Sequence, residues 1–247
     1  GLYISAEGAR AQTQRMETIA NNLANVDTTG FKRDLAYIQA RCAEAIDEGL
    51  ADPGSGSIND VGGGVMLRFT KTDFSPGPLK RTGGTTDLAI EGPGFFAVQK
   101  GDQQYLTRAG DFRLTAEGNL VTQQGYAVLD DGGSPISIDP TGGPIEITPS
   151  GAIRQRGSSV VLALVQPASL GDLSKVGENL FKPLSETQPV AESERRIGWG
   201  YLEASSVQPT TEMVQLIETA RAIEANVNMM QTQDQMLSQL ISRVMRA

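Results

Sequence analysis

Apolar side chains recur every seven residues in the C-terminal part of the chain, on two interleaved tracks. One track is interrupted by Asp234 and consists of Met213, Ala220, Val227 and Ile241. The other continues without a break through Leu216, Ile223, Met230, Leu237 and Val244. Because a sustained heptad repeat keeps apolar side chains on one face, this pattern predicts a long helix with a coiled-coil seam.

A weaker heptad pattern begins the chain, with Leu2, Ala9, Met16 and Leu23 on one track and Ser5, Gln12 and Ile19 on the other. This pattern predicts a helix over 2–25, followed by a turn at Gly30, since glycine readily adopts the left-handed conformation after a helix. Pro209 suits the first turn of the C-terminal helix, and we expect the hydroxyls of Thr210 and Thr211 to cap it. We expect the two helices to pair as a coiled-coil domain.

A two-residue period replaces the heptads between about Val65 and Leu202, where short apolar runs alternate with Gly- and Pro-containing turns. Such runs predict many short antiparallel strands in a sandwich or a distorted barrel, and hence an α+β fold. The predicted strands are 88–90, 95–98, 105–107, 112–114, 120–122, 127–129, 136–138, 145–147 and 160–165.

These periods predict four regions along the chain. Residues 1–32 hold the N-terminal helix, 33–82 an extended connecting segment, 83–202 the inserted β domain and 203–247 the C-terminal helix. Within the connecting segment, 33–50 are compatible with a continuing helix. Residues 51–64 have the Gly-, Ser-, Asp- and Pro-rich composition of a linker.

Composition argues against most chemistry and several classes of partner. The net charge is −8, which offers no basic footprint for nucleic acid. Histidine is absent and Cys42 is the sole cysteine, so most triads and His- or Cys-based metal sites are excluded. We therefore expect no catalytic, cofactor-binding or metal-ligating residue. No apolar stretch approaches the roughly 20 residues of a membrane span, and we expect a cytoplasmic protein or one exported without a cleaved signal.

Five short motifs resemble those of the bacterial flagellar axial proteins, the rod and hook family. The first, NNLANVDTTGFK at residues 21–32, is similar to the family signature near the N-terminus. The others are TTDLAIEGPGFF at 85–96, YLTRAGDF at 105–112, GNLV at 118–121 with Gly125 and Tyr126, and LEASSV at 202–207. The resemblance covers nearly the whole chain, and its signature residues are Asn21, Asn22, Leu23, Ala24, Asn25, Thr29, Gly30 and Phe31. Ser206 departs from the family pattern, where Asn is usual.

The resemblance implies a non-enzymatic structural subunit that forms a helical tube with copies of itself and with other rod and hook proteins. It implies export unfolded through the flagellar type III apparatus, without a cleaved signal, to the periplasmic rod of the basal body. The chain length suits a rod protein of the proximal or the distal type. A hook or hook-junction subunit is the alternative, and a secreted β-domain enzyme or carbohydrate-binding module with a helical stalk is a further one.

Long seams of this kind are poorly buried in a lone subunit, so we expect the termini to be partly disordered in solution and to become ordered on assembly. The predicted assembly seam consists of Leu23, Leu216, Ile223, Val227, Met230, Leu237, Ile241 and Val244.

Overall fold

The structure is a computed structural model that describes residues 2–40, 64–139 and 142–245, with side chains from residue 4 onward. Cys42 and nearly all of the predicted linker at 51–64 lie outside the described residues. The chain forms two compact units. The helical unit takes its residues from 1–24, 33–73 and 208–247, and the β unit from 25–32 and 74–207. With helices near both termini and an antiparallel β-rich middle, the fold class is α+β, as the sequence predicts.

The helical unit contains two helices and a hairpin: α1 (Leu2–Ala24), β1 (Asp34–Ala40), β2 (Val65–Thr72) and α2 (Pro209–Val244). Pro209 lies in the first turn of α2, where its missing N–H costs no hydrogen bond. The predicted hydroxyl cap does not form: Gln208 is the N-cap residue without a side-chain cap, and the Thr211 hydroxyl donates to Gln208 Oε1 at 3.3 Å instead.

Residues 34–40 form a strand rather than a continuing helix. Strand β1 pairs antiparallel with β2, from Asp34 opposite Thr72 to Ala40 opposite Val65. Tyr37 and Phe69 stack across the hairpin with ring centroids 5.0 Å apart, a cross-strand aromatic pair that stabilises the two strands. The strand state of 34–40 therefore depends on a partner that is distant in sequence, which the local apolar spacing does not reveal.

The β unit consists of sixteen strands and two 3₁₀ turns (Leu170–Asp172 and Glu192–Glu194) among its described residues. The strands are β3 (Leu79–Arg81), β4 (Leu88–Ile90), β5 (Phe95–Lys100), β6 (Gln103–Thr107), β7 (Arg113–Leu114), β8 (Leu120–Val121), β9 (Ala127–Val128), β10 (Glu146–Ile147), β11 (Ala152–Gln155), β12 (Ser158–Val161), β13 (Leu164–Pro167), β14 (Leu173–Gly177), β15 (Leu180–Pro183), β16 (Thr187–Pro189), β17 (Ile197–Trp199) and β18 (Tyr201–Glu203).

Strand β5 lies at the centre of the largest sheet, whose order is β14-β15-β6-β5-β9-β8-β7, with β13 pairing both β5 and β16. Both faces of β5 are buried: Phe96 and Val98 belong to one core cluster, and Phe95 and Ala97 to another. A strand that is covered on both faces appears in sequence as an uninterrupted apolar run, as residues 95–98 do. Smaller antiparallel sheets pair β10-β11-β12, β4 with β17, and β3 with β18.

Most predicted strands coincide with observed ones, but two differ. Within residues 136–138 the only pairing is an isolated bridge of Ser137 with Asn119, and a second isolated bridge joins the preceding Pro135 to Leu129. The predicted strand 160–165 is divided between β12 and β13, and Leu162 between them bridges Asp130.

A buried ion cluster in the β unit joins residues that are far apart in sequence. The Glu203 carboxylate accepts from Lys32 Nζ at 2.5 Å, from the Gly77 backbone N–H at 2.9 Å and from Arg108 Nη1 at 3.4 Å. The side chains of Lys32 and Glu203 are each 1% exposed. Since the Glu203 carboxylate contacts both cations, the two buried positive charges share one counter-charge.

Arg108 is held by backbone carbonyls as well as by Glu203. Its Nη2 donates to Gly92 O at 2.7 Å, and its guanidinium lies 5.1 Å from the centroid of the Phe95 ring. Burial lowers the pKa of the Arg108 guanidinium from its usual value, although the Glu203 carboxylate opposes this shift. The group remains protonated at neutral pH because the unperturbed pKa of arginine is so high.

Replacing Glu203 with Gln keeps the shape of the side chain but removes the counter-charge that Lys32 and Arg108 share. We expect E203Q to lower the free energy of unfolding of the β unit by about 3–5 kcal/mol. Urea unfolding of the full chain measures this directly, because Trp199 is the sole tryptophan and lies in the β unit.

Glu178→Gln is the matched control. Glu178 also pairs with a lysine, Lys100, at 2.5 Å, but both side chains are exposed. We expect little change in E178Q, because exposed ion pairs contribute little to stability. If E203Q cost no more stability than E178Q, the cluster would not have the role described.

Candidate assembly surface

Helices α1 and α2 pack against each other antiparallel. Asn22 of α1 donates to Glu212 of α2, and Gly8 lies against Asn226. Asn22 follows Gly8 by two heptads, and Asn226 follows Glu212 by two heptads. The two contacts are therefore two heptads apart on both helices. The residue numbers fall along α1 as they rise along α2, which shows that the helices are antiparallel.

The face of α2 toward α1 contains a polar column at heptad spacing: Glu212, Thr219, Asn226 and Gln233. Glu212 is 0% exposed and Thr219 is buried, while Asn226 and Gln233 are partly buried. Beside the polar column lies an apolar column of Leu216, Ile223 and Met230, which is also partly buried. We call it the shared column, because it borders both the polar column and a second apolar column on its other side. The intrachain seam of α2 thus has one apolar column and one polar column.

An open column of apolar residues lies on the other side of the shared column and consists of Met213, Ala220 and Val227. Positions three and four residues after a given helical residue lie roughly 50° to either side of it, so the polar and open columns flank the shared column. Met213 is 51% exposed and Val227 37% exposed, and Ile217 beside them is 53% exposed. The shared and open columns together form a second seam, which is more apolar than the intrachain seam. No other part of the described chain covers its open column.

The last turns of α2 together with its C-cap residue, 234–245, extend past the part of the helix that α1 buries. Every residue from Asp234 to Met245 is exposed. Six large apolar side chains lie in this overhang, and Val244 is 74% exposed: Met236, Leu237, Leu240, Ile241, Val244 and Met245. Position 240 continues the polar column, which therefore becomes apolar in the overhang.

The predicted seam residues fall into three environments. Leu23, Leu216, Ile223 and Met230 are partly buried in the helical unit, Val227 lies in the open column, and Leu237, Ile241 and Val244 lie in the overhang. The track of Met213, Ala220, Val227 and Ile241 does not face α1. The sequence analysis did not predict the polar column, although its four residues recur at the same seven-residue spacing as the apolar tracks.

The signature residue Asn22 ties α1 to the first residue of β1. Its Nδ2 donates to Asp34 O at 2.8 Å, and its Oδ1 accepts from the Asp34 N–H at 2.9 Å. Nδ2 also lies 3.4 Å from Glu212 Oε2, and Arg33 Nε is 2.5 Å from Glu212 Oε1. Glu212 stands in the first turn of α2, where the helix dipole favours a negative charge. This polar group fixes the start of α2 against the end of α1.

The later signature residues belong to the β unit. Gly30 has φ +65°, its N–H donates to Glu203 O at 2.7 Å, and an added Cβ would lie 2.5 Å from the carbonyl carbon of Arg108. Only glycine fits that approach. Thr29 O accepts from Asn179 Nδ2 at 2.6 Å, and Lys175 Nζ lies 3.9 Å from the centroid of the buried Phe31 ring.

The remaining signature residues have local or outward-facing roles. Asn25 accepts the Thr28 hydroxyl at 3.2 Å within the turn, whereas Asn21 and Ala24 lie on α1, where both are exposed.

The described residues contain no group of three or more His, Cys, Asp or Glu side chains arranged to hold a metal ion. Neither α1 nor α2 has the length and apolar content needed to cross a membrane.

Three family models match successive parts of the chain. The model described as flagella basal body rod protein matches residues 2–32, the flagellar hook protein FlgE/F/G D1 domain matches 89–155, and the flagellar basal body rod FlgEFG protein C-terminal model matches 200–243. The matched ranges include α1, the central strand β5 and most of α2.

Named relatives match the chain along almost its full length. The flagellar basal-body rod protein FlgF of Caulobacter vibrioides is 38% identical over 98% of this chain and 97% of its own. The rod protein FlgG of Buchnera aphidicola subsp. Schizaphis graminum is 34% identical over 97% of both chains, and FlgG of Bacillus subtilis is 30% identical over 98% and 97%. The chain therefore belongs to the family of flagellar basal-body rod proteins.

Proposed function

We propose that this structural subunit of the flagellar rod polymerises through the open apolar side of α2, with the α1–α2 pair forming a coiled coil. The observation that carries the proposal is the difference between the two seams of α2. The seam toward α1 combines the shared column with polar residues, whereas the shared and open columns together make a continuous apolar heptad face from Met213 to Met230. An exposed apolar stripe at heptad spacing is the surface that a further helix would cover.

A second copy of the chain is the occupant that this surface fits best. Copies joined head-to-tail use two different patches of each subunit, and such heterologous contacts generate open helical polymers. Helix α2 offers apolar side chains at both of its ends, Met213, Val214 and Ile217 near the start and the overhang at the finish. Patches at opposite ends of one long helix suit an axial, repeating contact.

The overhang is the part of the helical unit that we expect to become ordered on assembly. Helix α1 has 23 residues and α2 has 36, which correspond to about 34 Å and about 54 Å at 1.5 Å per residue. With six large apolar side chains and no cover from α1, residues 234–245 have little to hold them in a lone subunit. Of the two termini that the sequence analysis expects to be partly disordered in solution, we therefore expect this C-terminal segment to show the disorder.

The β unit supplies lateral contacts in this proposal, together with contacts to other rod and hook proteins. Export of the unfolded chain through the flagellar type III apparatus, without a cleaved signal, delivers the subunit to the periplasmic rod. The subunit carries torque and catalyses no reaction. The predicted regions 1–32, 33–82, 83–202 and 203–247 serve in this scheme as helix, connector, β domain and helix.

The position of the subunit along the flagellum is tested in a strain that lacks its gene. Negative-stain microscopy of purified basal bodies should show a truncated rod. A complete rod that lacks a hook would instead favour the hook or hook-junction alternative, and intact flagella would contradict a structural role.

Replacing Val227 with Asp tests the open column. Because Val227 does not face α1, we expect V227D to change the stability of the isolated chain by no more than about 0.5 kcal/mol. In the assembled rod the same carboxylate would be buried without a partner, at a cost of several kcal/mol per copy. We expect V227D to abolish swimming when it is the sole copy in a deletion strain.

Asn228→Asp is the matched control, since it introduces the same side chain one residue later, on an exposed polar position outside the open column. We expect N228D to restore swimming to the level of the unsubstituted protein. Normal swimming of V227D in soft agar, with normal basal bodies, would show that the open column is not an assembly contact.

A further inference from the structure

Asn226 of α2 packs closely against Gly8 of α1. Asn226 Nδ2 donates to Ala222 O of its own helix at 2.9 Å, which holds the side chain in one orientation. A Cβ at Gly8 would lie 3.2 Å from Asn226 Oδ1, so a larger residue there would have to displace the amide. Glycine within a helix costs about 1 kcal/mol relative to alanine, and its presence here admits the Asn226 side chain.

The polar column also lowers the stability of the seam that it occupies. Gln233 Oε1 in the polar column and Gln12 Oε1 on α1 are buried and have no hydrogen-bond partner among the described residues. Buried polar atoms without a partner destabilise a fold, whereas a polar residue at a seam position can specify register and partner at such a cost. The polar column therefore fits a role in selecting the pairing better than a role in strengthening it.

A shift of one heptad between the helices would break both polar contacts. Asn226 would move from Gly8 either to position 1, which lies outside the described residues, or to Arg15. Glu212 would at the same time lose its contact with Asn22, because the same shift moves every residue of α2 by seven positions along α1. The apolar shared column has no such preference, since one apolar residue replaces another at each seven-residue step.

We propose that Asn226, together with Gly8 and the Asn22–Glu212 contact, determines the register of α1 against α2 and assigns the polar face of α2 to the helix of its own chain. The open column is then left for the second copy, a consequence that rests on the proposed function. The register itself is a property of the isolated chain. Its test is therefore independent of assembly.

Asn226→Leu keeps approximately the size of the side chain and removes its polarity. The test uses the full chain with Cys42→Ser and spin labels on cysteines at Ala20 and Thr232, two exposed positions toward opposite ends of the helix pair. Electron–electron distance measurements are made with labelled chain diluted in unlabelled chain, so that only intrachain pairs contribute. A slip of one heptad changes the axial separation of the labels by about 10 Å.

We expect one narrow distance in the parent chain and in the matched control Asn228→Leu, which makes the same substitution on the exposed side of α2. The comparison is made with Glu212→Ala in all of these chains, so that the Asn22–Glu212 contact is absent from each. In that background we expect N226L to add a second distance displaced by about 10 Å, and Asn226→Ala to do the same without a branched side chain. A single unchanged distance in both Asn226 variants, a broad distribution in the parent, or the same second distance in N228L would each overturn the proposal. The swimming test of V227D stands apart from all three outcomes.

Discussion

In the proposed rod, helix α2 contacts two different neighbours with adjacent stripes of one surface, and the other features of the helical unit depend on that constraint. One stripe is polar and faces α1, and the other is apolar and open. A helix with two equivalent apolar seams would pair with any similar helix in several registers. The polar column breaks this equivalence, and it does so by making the intrachain seam the less apolar of the two.

In the β unit, buried charged groups join segments that are far apart in sequence. Glu203 accepts from Lys32 and Arg108, and its backbone carbonyl accepts from Gly30. These four residues come from three motifs of the family resemblance, at 21–32, 105–112 and 202–207. Motifs that are scattered over more than 170 residues of sequence thus meet at one cluster. A cluster in which two cations share one buried carboxylate joins these segments, and it holds the segment that follows α1 and the segment that precedes α2 within the same unit.

Periodicity was sufficient to predict the two terminal helices, the antiparallel middle and nine apolar runs within it, of which seven coincide with single observed strands. It did not predict which column of α2 is buried, because a heptad repeat fixes the spacing of a seam but not the side from which the partner approaches. Nor could it predict β1, which ends at Ala40 and whose partner β2 begins only at Val65. Glu212 and Asn226 were missed for a related reason: a polar residue at heptad spacing is ordinarily assigned to the solvent face, and only the position of α1 places these two inside.

In the proposed rod, another copy covers the open column of α2. Maleimide labelling of a Val227→Cys, Cys42→Ser chain tests this contact, by comparing the labelling rate of the isolated chain with that of purified basal bodies. We expect fast labelling of the isolated chain, where Val227 is 37% exposed, and strong protection in the basal bodies. Equal labelling rates in the two states would contradict the proposed contact.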